Sequence, residues 1–206
     1  MNWRIDELKN ITITSHSDAH SPEKLGREAT VLNCKLDYFD IEGALKTNDQ
    51  RVVGTIEFFP EEGKYHFDGH RVCNIRFSPE QTREHQSLCP ICGKPLTVGV
   101  DYRVTELANY PSDYKPQNHK KVEYIIPLLE IIAQTQRMTT ASKKVQEIYE
   151  QMIASLGSEF DILRKVAIDK IQTNFPEVAQ GIERMRKGEV LVEPGYDGIY
   201  GTIRIC

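Results

Sequence analysis

The chain has 206 residues, enough for one ordinary domain or two small ones. Apolar residues make up 39% and charged residues 27%, the balance of a folded globular protein rather than a disordered one. Lys plus Arg total 26 against 30 Asp plus Glu, so the net charge of −4 excludes a globally basic nucleic-acid binder but leaves room for a local basic groove.

The longest apolar run, Ile125-Ile126-Pro127-Leu128-Leu129, is broken by Glu130. It falls far short of the ~20 residues that a membrane span needs, so no membrane partner is expected. Met1 to Glu7 holds acidic residues and no apolar stretch, which is not a secretory signal. The five cysteines are Cys34, Cys73, Cys89, Cys92 and Cys206. An odd count without a signal argues for a cytoplasmic chain with reduced thiols. Three of the five fall within 20 residues, which points to a metal.

In chain order, Ile11 to Thr14 has strand propensity, and the polar cluster Ser15 to Ser21 leaves its C-terminal end. Ser21 and Pro22 read as the N-cap and first position of a helix. Residues 51–59 are a second strand candidate that stops at Pro60. Residues 64–103 are rich in His, Cys, Gly and Pro and carry no helical period, so something other than an apolar core must hold them. Residues 109–121 read as a linker.

From 124 onward the signal is helical. Val145, Ile148, Tyr149, Met152, Ile153 and Leu156 form one apolar stripe. Gly157 ends that helix and Ser158 starts the next, which carries Phe160 and Leu163. Pro176 opens a further helix and Gly188 closes it. The tail, 190–205, reads as two short strands around glycine-rich turns.

The strongest chemical signal is His70-x2-Cys73 followed, after fifteen residues, by Cys89-x2-Cys92. Two x2-spaced pairs at that separation are the pattern of a closed, structural zinc site. His66 and His85 are alternatives to His70 as the fourth ligand. Asp18 and His20 are alternate residues on an expected extended segment, so both can meet one divalent catalytic metal (Mg2+, Mn2+ or Zn2+), with His16 on the same parity. Lys24 and Arg27, flanking Gly26 near the expected helix start, are candidates for a DNA phosphate contact. Tyr196, Asp197 and Tyr200 either stack on a base or pack within the terminal turns; packing is the simpler expectation. Cys34 and Cys206 have no partners in sequence.

These residues carry a family resemblance. Ser17-Asp-Ala-His-Ser-Pro-Glu-Lys-Leu-Gly-Arg-Glu-Ala, Glu57-Phe-Phe-Pro-Glu-Glu-Gly-Lys-Tyr-His-Phe-Asp-Gly-His-Arg-Val-Cys and Cys89-Pro-Ile-Cys-Gly-Lys-Pro-Leu-Thr resemble endonuclease Q, a PHP (polymerase and histidinol phosphatase) metallo-phosphoesterase. Pro194-Gly-Tyr-Asp-Gly-Ile-Tyr-Gly fits as well. The resemblance implies a DNA-repair endonuclease that cuts 5′ to deaminated bases such as uracil and hypoxanthine, or to abasic sites. It places Asp18 and His20 in the last metal-ligand motif of a PHP barrel, and His70, Cys73, Cys89 and Cys92 in a zinc-binding insertion. The family's early His-x-His motif has no counterpart here, since no His precedes His16. The sequence therefore matches only the C-terminal half, with the N-terminal PHP half as an expected missing partner and the segment alone expected to be inactive.

The resulting expectation is an α+β chain in four parts: the C-terminal remnant of a PHP β/α barrel (1–54), a zinc module (55–108), a linker (109–121) and a helical domain ending in a hairpin (122–206). Two rival functions remain open at this level. One is a non-catalytic zinc module that binds DNA or a protein; the other is a PHP phosphatase acting on a small phosphoester.

Overall fold

An antiparallel strand pair joined by a helix is the first strand-and-helix unit along the chain in this computed structural model, which describes residues 1–205 and, for Glu23, the backbone alone. Strand β1 (Ala29–Leu32), helix α1 (Tyr38–Thr47) and strand β2 (Val52–Glu57) follow one another. β1 pairs antiparallel with β2, with a register shift at Val31/Leu32. The Asp37 carboxylate accepts from the Phe39 and Asp40 backbone N–H groups and so caps α1, and Asn48 ends it in the left-handed conformation. Arg51 then ties the end of this unit together, donating to Asp40 at 2.6 Å and to Asp49 at 2.7 Å.

The chain next builds the Cys- and His-rich segment. Strands β3 (Asp68–His70) and β4 (Ile75–Phe77) form an antiparallel hairpin, followed by α2 (Pro79–Glu84) and α3 (Val100–Leu107). α2 begins with a capping box in which Ser78 and Gln81 satisfy each other's backbone N–H groups. Strand β5 (Lys121–Tyr124) then returns to pair in parallel with β2, completing a β1-β2-β5 sheet.

Helices α4 (Leu128–Thr135), α5 (Lys143–Leu156), α6 (Glu159–Arg164), α7 (Ile168–Gln172) and α8 (Pro176–Lys187) follow, then the strands β6 (Val190–Glu193) and β7 (Thr202–Ile205). Ile131, Met152, Ile162, Leu163, Ile171 and Ile182 are fully buried among these helices. Of the apolar stripe expected on α5, Val145 and Met152 are buried and the remainder half-buried. Gly157, Ser158, Pro176 and Gly188 stand at the helix ends where the sequence sets them. Arg186 adds a second fastening, donating to the carbonyls of Ile162, Leu163 and Val166 at 2.8 Å.

The chain divides into two compact units, Met1–Tyr124 with Glu193–Thr202, and Ile125–Val192 with Ile203–Cys206. The turn between β6 and β7 thus belongs to the first unit. The overall class is α+β with small sheets, as expected. No helix among the described residues is long and apolar enough to cross a membrane.

Two local expectations are corrected. Ile11 to Thr14 is not a strand. It finds no ladder; instead Thr12 donates to the Leu45 carbonyl at 2.5 Å, and the Thr30 hydroxyl meets both the N–H and the C=O of Ser15. Strand propensity needs a partner edge, and side-chain hydroxyls took that place. Ser21 and Pro22 begin only a single 3-10 turn, Pro22–Lys24, without a side-chain cap. The 109–121 segment packs against the N-terminal turns: Tyr110 donates to Asp6 at 2.7 Å, and the Trp3 and His119 rings meet edge-on at 4.8 Å. Cys206 lies outside the described residues.

Ile182 is fully buried on α8, so Ile182→Ala should cost about 2–5 kcal/mol of stability. Gln180→Ala on the exposed side of the same helix should change it by no more than about 0.5 kcal/mol. Urea unfolding of the two variants beside the parent protein measures both.

Candidate functional site

Two tight turns present the four expected ligands. The β3–β4 hairpin carries the first pair: His70 ends β3, Arg71–Cys73 makes a 3-10 turn, and Asn74 follows in the left-handed conformation. The second pair sits in a turn closed by Cys89 N–H to the Lys94 carbonyl and Gly93 N–H to the Cys89 carbonyl, both at 2.8 Å. Gly93 has φ +69°, a conformation that glycine adopts without strain and that the x2 turn requires.

The ligand atoms of His70, Cys73, Cys89 and Cys92 all lie within 4.8 Å of one another. A tetrahedral zinc with Zn–S of about 2.3 Å needs its sulfurs about 3.8 Å apart, so three thiols and one imidazole at this spacing fit that ion. No other group of three or more His, Cys, Asp or Glu side chains among the described residues is gathered to hold one ion. His70 is the imidazole that joins the thiols, with Nδ1 3.6 Å from the Cys92 sulfur. His66 is buried and stacks on Phe67, and His85 stacks on Phe77 at 4.7 Å, so neither alternative is drawn in.

The cluster's electrostatics suit thiolate chemistry. Burial opposes ionisation of Cys89, but the backbone N–H groups of Cys92 and Ile91, with further hydrogen bonds from Cys92 and His70, outweigh it and lower the thiol to about 6. Burial, with hydrogen bonds involving Cys92 and Cys89, pushes Cys73 up to about 11. One thiol carries the charge and disfavours a second one next to it. A divalent cation removes that conflict by accepting all the thiolates at once.

Asp68 is the residue that positions this segment and that sequence reading missed. It is fully buried, and its carboxylate accepts from the Thr82 hydroxyl of α2 and from the Gly99 N–H at the start of α3, both at 2.5 Å. Burial raises its pKa, against the lowering by these two donors. Nothing in the sequence separates an Asp destined for burial from the many that are solvated. The Asp-Gly-His context, two residues before a ligand, was the available signal.

The second expected metal group is not assembled in the same way. His16, Asp18 and His20 are all exposed. Asp18 adopts φ +45°, and the His20 Nδ1 faces the Asp18 carbonyl oxygen at 2.8 Å. The alternation argument required an extended segment, and the local turn removes it. His16 and Asp18, but not His20, line an open concavity of about 390 Å³ together with Thr14, Glu28 and Thr30. Lys24 is exposed at the end of its 3-10 turn, so no helix N-terminus supports it as an anion contact. Arg27 lies over the Phe58 ring, 4.6 Å from its centroid.

Purified without chelator, the chain should carry one zinc per molecule. His70→Ala and Cys89→Ser should abolish tight binding, whereas His66→Ala should leave the metal content unchanged. Only the thiolate is a ligand, so protons compete with the ion for the site and affinity falls as pH drops. Elemental analysis after dialysis at graded pH reads both effects.

Comparison with known proteins places this geometry. A family model described as the MJ0043 C-terminal domain matches residues 127–189. The chain is 33% identical to an uncharacterised protein of Methanocaldococcus jannaschii, MJ0043, over 97% of this chain and 26% of that one. It is 26% identical to the uncharacterised protein YqxK of Bacillus subtilis, over 99% of this chain and 49% of that one. Among solved structures, the lesion-specific endonuclease PfuEndoQ from Pyrococcus furiosus matches 100% of this chain and 52% of its own, with 29% identity and a TM-score of 0.88. An endonuclease Q complex with a 27-mer duplex carrying an abasic lesion at its active site matches with a TM-score of 0.83 and 28% identity. The chain thus spans about half the length of the solved proteins it matches. Its structural neighbours are endonuclease Q, which it resembles throughout its own length and over about half of theirs.

Proposed function

We propose that this chain is part of a DNA-repair endonuclease of the endonuclease Q type. The observation that carries the reading is the likeness to PfuEndoQ over the whole chain at TM-score 0.88 and 29% identity, well above a likeness of fold alone. The four-donor cluster supports it, because its residues are those of the resemblance's zinc insertion. In this reading His70, Cys73, Cys89 and Cys92 hold a structural zinc, and residues 1–54 are the C-terminal edge of a PHP barrel. A cytoplasmic setting, where thiols stay reduced, suits a thiolate-held ion.

The substrate is DNA carrying deaminated bases or abasic sites, and the reaction is hydrolysis of the phosphodiester on the 5′ side. A divalent metal in such a centre supplies Lewis acidity and an activated water. Asp18 and His20, with His16, contribute donors, and His16 and Asp18 line the open concavity. By themselves they do not make a complete ligand set, since no three donors there are gathered on one point among the described residues. The remaining donors come from the N-terminal PHP half. Lys24, which is exposed, and Arg27, which lies over the Phe58 ring, contact backbone phosphate.

A second reading has one observation in its favour. The described residues gather only the Cys/His cluster, so this segment acting alone fits a non-catalytic zinc module that binds DNA.

A nicking assay on duplex DNA with uracil, hypoxanthine or an abasic site, in Mg2+ or Mn2+, separates the two readings. Residues 1–206 should not cut, and joined to an N-terminal PHP half they should. In the joined protein Asp18→Asn should abolish cutting and leave the zinc content unchanged. Cutting by residues 1–206 that survives Asp18→Asn would overturn the proposal. Lys24→Ala should reduce the slope of log affinity against log salt by about one unit, with Arg27→Ala reducing it less.

A further inference from the structure

The turn between β6 and β7 lies more than a hundred residues beyond the ligands, yet it belongs to the same compact unit. Its backbone is received by that unit: Phe67 N–H donates to the Gly195 carbonyl at 2.8 Å, and Gly198 N–H to the Lys64 carbonyl at 2.9 Å. Two of its side chains then close on the first ligand pair from both flanks. The Asp197 carboxylate accepts from the backbone N–H of Arg71, the residue after His70, at 2.7 Å. Its other oxygen accepts from the Thr97 hydroxyl at 2.6 Å. Thr97 is itself paired with Gly69, the residue before His70, through both backbone bonds. On the opposite flank, the Tyr196 hydroxyl donates to Asn74 Oδ1 at 2.8 Å, and Asn74 follows Cys73 in the left-handed conformation.

The fit of the Tyr196 ring is close. A Cβ built on Gly69 would lie 2.3 Å from Tyr196 Cδ2, so the ring occupies the space that any side chain there would need. Tyr196 is buried, whereas Tyr200 in the same turn is exposed. The His70-x2-Cys73 turn alone is short and half exposed. Asp197 and Tyr196 fix it by gripping residues next to each ligand.

We infer that Tyr196 and Asp197 are positioning residues of the His70/Cys73/Cys89/Cys92 ion site, so that the site is complete only with the C-terminal turn in place. This rests on the reading of the cluster as a zinc site. Groups that orient ligands without touching the metal typically contribute 10- to 100-fold in affinity. Coupling of this kind is reciprocal: if the turn stabilises the bound ion, the ion stabilises the docked turn to the same degree.

The test uses the whole 206-residue chain, with Glu150→Gln on exposed α5 as a control. Zinc transfer to a chromogenic chelator should be about 10- to 100-fold more favourable from Asp197→Asn, and several-fold from Tyr196→Phe, with Glu150→Gln equal to the parent. Cobalt substituted for zinc reports ligand geometry directly. Its d–d bands should shift in Asp197→Asn and Tyr196→Phe, which a general loss of stability would not produce. Thr97→Val, which removes one of the two bonds to Asp197 at nearly constant volume, serves where Asp197→Asn does not fold. In the unmutated chain, hydrogen exchange at Gly195, Tyr196, Gly198 and Gly201 should be at least about tenfold faster without zinc than with it, by the same linkage. Parent-like zinc transfer and cobalt spectra in the folded variants, with zinc-independent exchange in the turn, would overturn the inference while leaving the zinc site intact. A parent chain that takes up no stoichiometric zinc or cobalt would instead overturn the zinc reading itself.

Discussion

Residues 64–103 cannot be held by apolar burial, and the rest of the first unit is arranged around that fact. Beside the Cys89 thiol, Pro79 and Leu96 are the buried apolar side chains among the described residues of this stretch. Two apolar side chains, each worth about 1.5–3 kcal/mol when fully buried, fall far short of the ~1 kcal/mol or more of backbone entropy lost per ordered residue. Three thiols and one imidazole converge within 4.8 Å there, a donor set that could hold one ion and so cross-link such a segment. A zinc held there contributes folding free energy of the order that a small hydrophobic core would.

Polar groups finish what the cluster starts. Asp68 draws α2 and the start of α3 together through one buried carboxylate, and Asp197 joins the terminal turn to the hairpin of His70 and Cys73 through a half-buried one. Their carboxyls are shifted in opposite directions for a physical reason. Burial dominates at Asp68 and raises its pKa. At Asp197 burial is again the largest effect, but the Thr97 hydroxyl and the Arg71 N–H together outweigh it and hold the carboxyl below its usual range. Each is expensive to bury and is accepted because its donors are in place.

The edge that carries His16, Asp18 and His20 has the opposite character. It is exposed, its backbone is met by hydroxyls rather than by a strand, and Asp18 sits in the left-handed region. Well-fixed catalytic donors usually stand on rigid elements with every neighbour satisfied. An open rim of this kind suits donors that complete their set with groups from elsewhere, as the proposed pairing with a PHP half requires.

The sequence by itself determined whatever depends on near neighbours. Ligand pairs at x2 spacing are legible because one turn suffices to bring two donors onto one ion, and Gly93 marks that turn. The helix limits at Gly157, Ser158, Pro176 and Gly188 are legible because caps act within a few residues. Ile11 to Thr14 failed for the converse reason: a strand is decided by whether an edge is free to pair, and the β1 residue Thr30 meets the adjoining Ser15 through its hydroxyl instead of a backbone ladder. The choice of His70 over His66 and His85 was open in sequence, since all three lie within reach along the chain. Only the tertiary structure shows which of them the folded chain gathers with the thiols: His70, while His66 and His85 stack on Phe67 and Phe77. The contact of Asp197 with Arg71 spans 126 residues, and no local rule encodes it. It exists because the folded chain returns its last turn to the hairpin that carries the first two ligands.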